Sequence, residues 1–197
     1  MTDTLKKSWK HFKLICNHKR WVGYYCFKLG IPFRGIMHDM SKFSPTEFCE
    51  SVKYYTGTRS PIDVCKERNG VSKAWMHHKG RNRHHYEYWQ DNFDKGGHPV
   101  QMPMEDAFEM LCDYLGASRA YTGKNFSFTG EYNWWCNKIA NGIAMHPQTK
   151  YFINSVLEAL MKAETDGRNP NVYLNRLSCE AFYDNATSWY NRQVNNV

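Results

Sequence analysis

His38 and Asp39, within Gly35-Ile-Met-His-Asp-Met-Ser-Lys-Phe43, place an imidazole beside a carboxylate. Such a compact N,O pair suits a hard or borderline divalent metal. A lone His-Asp dipeptide arises often by chance, but a second concentration follows. His77-His78-Lys-Gly-Arg-Asn-Arg-His84-His85 holds four of the nine histidines within nine residues. Asp113 lies in Met110-Leu-Cys-Asp-Tyr-Leu115, an apolar stretch where a carboxylate is costly unless paired or bound to a cation. Asp106, one face-repeat earlier, has more polar surroundings and is the weaker candidate. His18 shares a helical face with Val22, Tyr25 and Leu29 and so points inward. The candidate metal set is therefore His18, His38, Asp39, His78, His85 and Asp113. Plainer readings exist for each: a single His-Asp hydrogen bond, a core histidine, or a basic surface turn in which Lys79, Arg81 and Arg83 meet any anion.

The elements that must position these residues are almost all helical. Leu5, Trp9, Phe12 and Cys16 recur at helical spacing, and the pattern runs through Leu29 until Gly30 and Pro32 stop it. Ser44-Pro45-Thr46-Glu47 predicts a helix start, with a capping serine, proline in the first turn and Glu47 closing a capping box. Ser60-Pro61-Ile62-Asp63 repeats the idea. Ala74–His78 reads as a helix end, His84–Phe93 as helix again, and Asp94–Pro99 as a loop. Met104–Tyr121, ending at Gly123, is the clearest later helix. Segments 131–145, 147–163 and 171–189 complete the chain. The expectation is an all-α, single-domain helical bundle, with 1–123 as metal-binding core and 124–197 as a C-terminal helical extension.

The order of these residues resembles the HD-domain superfamily of metal-dependent phosphohydrolases. Its members carry an early helical His, a His-Asp pair and a late Asp on a long helix, and many add two intervening histidines for a second metal. The resemblance implies that His18, His38, Asp39 and Asp113 hold one ion, and that His78 and His85 hold a second, with Asp39 bridging. His77 and His84 are alternatives, because both pairs are seven apart. Lys42 falls where members with His-Asp-x-x-Lys place a lysine near the substrate phosphate. Trp75-Met-His-His and His84-His-Tyr-Glu-Tyr-Trp89 also look like an uncharacterised family of small bacterial and phage proteins. The Gly-Tyr-Pro element of the cyclic-dinucleotide phosphodiesterase branch is absent. The implied function is a metal-dependent phosphohydrolase acting on a nucleotide or other small phosphate ester. Asp39 and Lys42 would be its catalytic residues; Lys42, Arg81 and Arg83 would bind substrate, and one or two ions of Mn, Fe, Ni, Co, Zn or Mg would be the cofactor.

Bulk properties bound the alternatives. The first 34 residues hold eight Lys/Arg against Asp3 alone, so they carry the whole formal charge of +7. A basic helix there could meet nucleic acid or draw in anions. Seven scattered cysteines with no Cys-x-x-Cys fit reduced thiols, and no apolar run suits a membrane span, so a cytoplasmic protein is expected. The competing functions are an HD-type diiron oxygenase and a non-catalytic nucleotide- or nucleic-acid-binding module.

Overall fold

The computed structural model describes residues 3–91 and 93–194. The fold is all-α: α1 (Asp3–Lys28), α2 (Pro32–Met37), α3 (Pro45–Tyr54), α4 (Pro61–Asn69), α5 (Lys73–Lys79), α6 (Met104–Thr122), α7 (Phe128–Ala140), α8 (Pro147–Thr165) and α9 (Arg176–Val194). The strands β1 (Gln90–Asp91) and β2 (His98–Pro99) pair antiparallel with Gln90 opposite Pro99. Among the described residues no helix is long and apolar enough to cross a membrane.

α1 and α6 are the axis of the molecule. His18 meets Asp113, a Cβ on Gly116 would meet Val22, and Arg119 bonds Tyr25 through its hydroxyl. These contacts climb both helices in the same direction about a turn apart, so the two lie parallel. Gly116 makes the close approach possible, since a Cβ there would sit 2.9 Å from the Val22 nitrogen and 2.5 Å from its Cγ2. Val22, Tyr25 and Leu29 are buried against Phe108, Leu111 and Leu115, and this core continues into Trp135, Phe152 and Leu157 of α7 and α8. Phe108 and Phe152 stack with centroids 5.5 Å apart.

Local chemistry explains most boundaries. α1 gives way to Gly30, at φ 75°, a left-handed value that glycine takes without a Cβ penalty. Ser44 caps α3 by accepting from the Glu47 nitrogen (3.4 Å), and Ser72 caps α5 by accepting from the Trp75 nitrogen (3.0 Å). Ser60 precedes α4 but makes no side-chain cap bond.

Several sequence expectations are corrected. Residues 84–93 are not a helix: a 3-10 turn at Tyr86–Tyr88 leads into β1 and a second 3-10 turn at Phe93–Lys95. Trp89 ends the first turn by donating through its indole N–H to the Arg83 carbonyl (2.7 Å). The expected loop at 94–99 ends in β2. α7 begins at Phe128, capped by Ser127, and stops at Ala140 rather than reaching Met145, because Gly142 adopts φ 75°. The last helix begins at Arg176, after a 3-10 turn at Pro170–Val172.

Candidate metal centre

The residues singled out for metal chemistry come from five separate segments, His85 standing just before the 3-10 turn at Tyr86–Tyr88. His18 lies midway along α1, His38 and Asp39 follow α2, His78 ends α5, and Asp113 lies midway along α6. Asp39 adopts φ 54° and ψ 29°, the only left-handed non-glycine among the described residues. Aspartate tolerates that region better than most residues, and strain of this kind clusters at functional sites.

Two groups of donor atoms share Asp39. In the first, the His18 Nε2 lies 3.1 Å from Asp113 Oδ1, 3.2 Å from His38 Nε2 and 3.4 Å from Asp39 Oδ2. The His38 Nε2 lies 3.2 Å from Asp39 Oδ2 and 3.4 Å from Asp113 Oδ1. In the second, the other oxygen, Asp39 Oδ1, lies 3.3 Å from His78 Nε2 and 3.4 Å from His84 Nε2. His85 completes this group, whose ligand atoms lie within 4.8 Å of one another.

Both groups fit a bound divalent ion. Ligands about 2.0–2.1 Å from one tetrahedral centre sit roughly 3.3 Å apart, the spacing seen here. Both Asp39 oxygens, His84 Nε2 and His85 Nε2 are buried without a hydrogen-bond partner. Buried polar atoms in folded proteins are nearly always satisfied, so the three orphans of the second group, Asp39 Oδ1, His84 Nε2 and His85 Nε2, call for a cation. The Lys42 Nζ lies 2.5 Å from Asp39 Oδ2. That ammonium pairs with Oδ2 and leaves Oδ1 without a partner.

Carboxylates behind the imidazoles fix their orientation. The Glu109 Oε1 accepts from His38 Nδ1 (2.9 Å) and lies 3.2 Å from His84 Nδ1. The Glu47 Oε2 accepts from His78 Nδ1 (2.7 Å). With Nδ1 engaged by this bond, Nε2 is the atom that faces the Asp39 oxygens. Glu109 is held in turn by Arg34 Nη1 (2.9 Å), which also reaches Asp106 Oδ1 (2.8 Å). Lys19 holds the turn from behind, donating to the carbonyls of Ile36 (3.1 Å) and His38.

The electrostatics match a site built for positive charge. Burial pushes the Asp39 carboxyl upward, but His38, Lys42 and His78 hold it well below the ordinary range. Asp113 behaves alike through its bonds with His18 and His38. Burial opposes protonation of His38, yet the facing Asp39, Asp113 and Glu109 raise its pKa well above normal. Burial, with His84 and His78 nearby, keeps His85 neutral, the form that ligates metals.

The cluster opens into a cavity of about 210 Å³ whose walls include His18, His78, His85, Asp113, Lys42 and Trp75. Lys42 therefore lies where ligand and candidate metal residues meet. Arg81 and Arg83, expected beside the substrate, line a second hollow that also reaches the cluster, with Asp39, His84, Asp106 and Glu109 in its walls. Arg83 pairs there with Asp106 (3.1 Å). His77 turns away from the cluster to Glu47 Oε1 (2.6 Å). The choice between the two histidine pairs therefore dissolves: His78 joins both His84 and His85.

Sequence reasoning missed Glu47, Glu109, and His11. Glu47 was read as the capping-box carboxylate, but its oxygens go to His77 and His78. Glu109 sits four residues before Asp113 on α6, a spacing that places both on one face. His11 lines the cavity two turns before His18, and burial with the nearby Lys42 charge lowers its pKa to about 4.

No curated protein and no solved structure matches the chain. A family model does match, over residues 7–159, a span that contains every residue of the two donor groups; the chain belongs to DUF5662, a family of unknown function.

Proposed function

We propose that the protein is a metal-dependent hydrolase of small phosphate esters, nucleotides among them. The observation that carries this reading is Asp39, whose two oxygens face two separate groups of histidines beside a cavity that also holds Lys42. His18, His38, Asp39 and Asp113 would hold one ion, and Asp39, His78, His84 and His85 a second. Ions there would supply water that is acidic near neutral pH and positive charge toward a phosphoryl oxygen. The order His18, His38-Asp39, Asp113 along the chain, and their meeting at one place, support the resemblance to HD-domain phosphohydrolases.

The chain's own groups do the rest. Glu109 and Glu47 keep His38 and His78 aimed by accepting from their Nδ1 atoms, and Glu109 also lies 3.2 Å from His84 Nδ1. Facing Asp39 keeps Lys42 charged against the opposing effect of burial. Its ammonium offsets the anionic ester on entry and the charge that builds on the phosphoryl oxygens. A water oxygen bonds to phosphorus, the ester P–O bond breaks, and the alcohol leaves with a proton.

Elemental analysis of purified protein beside an Asp39→Ala variant, with a panel of phosphate esters, tests the proposal. The expected result is about one to two divalent ions per chain and hydrolysis of at least one ester, both lost in the variant. Unchanged metal content in the variant with no ester hydrolysed by metal-replete protein would refute it. Iron accompanied by oxygen consumption, in place of hydrolysis, would refute it equally.

A further inference from the structure

A second and larger cavity, about 620 Å³, adjoins the first. The two share Trp75, His85, Ala117 and Tyr121 as common walls. α6 serves both, presenting Asp113 to the inner cavity and Ser118 to the outer. Those residues are separated by about 7.5 Å along the helix axis. A phosphate and a flat ring joined by a sugar can span that distance.

The outer cavity is built for a flat, polar-edged ring. Tyr86, Tyr114 and Trp134 line it, Tyr114 and Trp134 meeting edge to face with centroids 5.1 Å apart, and the Lys138 ammonium lies over the three rings at 5.3, 5.5 and 5.2 Å from their centroids. Two carboxyl groups stand among these rings. Glu131 is 3% exposed, and burial, only partly opposed by a bond from Ser118, raises its pKa to about 7. Glu87 has a buried oxygen, Oε2, with no hydrogen-bond partner. Both line this cavity, with Tyr114.

Resting on the hydrolase reading above, we propose that this outer cavity binds the base of a nucleoside monophosphate, and that it selects bases bearing an exocyclic amine. Aromatic faces stack any base without regard to its edge, so the rings give affinity but not choice. The carboxyls give the choice. Uracil and thymine offer a single ring N–H, whereas an exocyclic amine supplies two N–H donors for two carboxyl acceptors. A site built to accept hydrogen bonds discriminates against a ligand that leaves its buried groups unpaired. The phosphate would then reach Lys42 and the two donor groups through the opening between Trp75 and Tyr121.

Calorimetric titration of the purified, metal-replete protein with the uncleavable methylenephosphonate analogues of AMP, UMP and base-free ribose 5-phosphate tests this by binding, independently of turnover. AMP should bind about tenfold or more tightly than either competitor. In Trp134→Ala, whose ring is 44% exposed and dispensable to the core, the advantage over ribose 5-phosphate should shrink severalfold. In Glu131→Leu the advantage over UMP should fall toward unity. Equal binding of AMP and ribose 5-phosphate, equal binding of AMP and UMP, or no binding of any of them overturns the assignment. Hydrolysis of glycerol phosphate decides the other question separately. If it proceeds while AMP shows no preference, the hydrolase reading stands and the base site falls; if AMP binds selectively but no ester is cleaved, the reverse holds.

Discussion

Replacing Glu131 with glutamine should make the protein more stable, and only above mildly acidic pH. The Glu131 carboxyl is buried in the first turn of α7, and its pKa is raised from 4.5 to about 7. Below pH 4.5 both folded and unfolded chains hold the proton, and the group contributes no pH dependence. Between pH 4.5 and 7 the unfolded chain releases it first, so each pH unit favours unfolding by about 1.4 kcal/mol. The accumulated penalty is roughly 3 kcal/mol once the pH passes 7. Glutamine keeps the shape and a partner for Ser118 but never ionises. Thermal melts of both proteins at matched metal content from pH 5 to 8.5 isolate this one group, because every other titration is common to the two. The difference in Tm should be near zero at pH 5 and open to about 6–12 °C at pH 8, at roughly 2–4 °C per kcal/mol for a chain of this size. A constant offset across the range would refute the reasoning.

Other perturbations reach the remaining parts of the molecule. Glu109→Gln puts an amide where a carboxylate accepts from His38 and faces His84, and metal affinity measured against a chromophoric chelator should fall about 10- to 100-fold with the helical circular dichroism unchanged. Lys42→Met should retain the metal yet slow ester hydrolysis by roughly 10²- to 10³-fold, a split that steady-state kinetics and elemental analysis together read. Gly116→Ala forces a Cβ to within 2.5 Å of the Val22 side chain and should destabilise the fold by about 1–3 kcal/mol in urea unfolding. Wild-type stability there would show that the helices separate freely.

Helices were legible where one periodic face meets the core. α1, α6 and α8 follow from their apolar spacing, and the inward turn of His18 follows from the company of Val22 and Tyr25. Asp113 was legible because a carboxylate among Leu111, Cys112 and Leu115 has no polar surface to reach. Asp106, ranked the weaker candidate, joins neither donor group; its full burial was not legible, because Arg34 and Arg83 arrive from elsewhere in the chain. Glu47 and Glu109 were hidden in the same way, since a glutamate on a helix reads as surface until its partners are known. His84–Phe93 carries enough apolar residues to look helical, but tertiary contacts decide it. Gln90 donates to the Ala144 carbonyl 54 residues away, and β1 pairs with β2, contacts that no local window contains.

With an ion held as proposed, the seam between α1 and α6 would act as a gauge of ionic radius. Val22 touches Gly116 one turn beyond the level at which the His18 Nε2 and Asp113 Oδ1 stand 3.1 Å apart. Those two donors ride on rigid helices whose spacing is set by backbone against backbone, not by adjustable side chains. A residue larger than glycine at 116 would widen the seam and lengthen that donor span. Preference among divalent cations would then move toward the bulkier ones, without any change in the atoms that bind them.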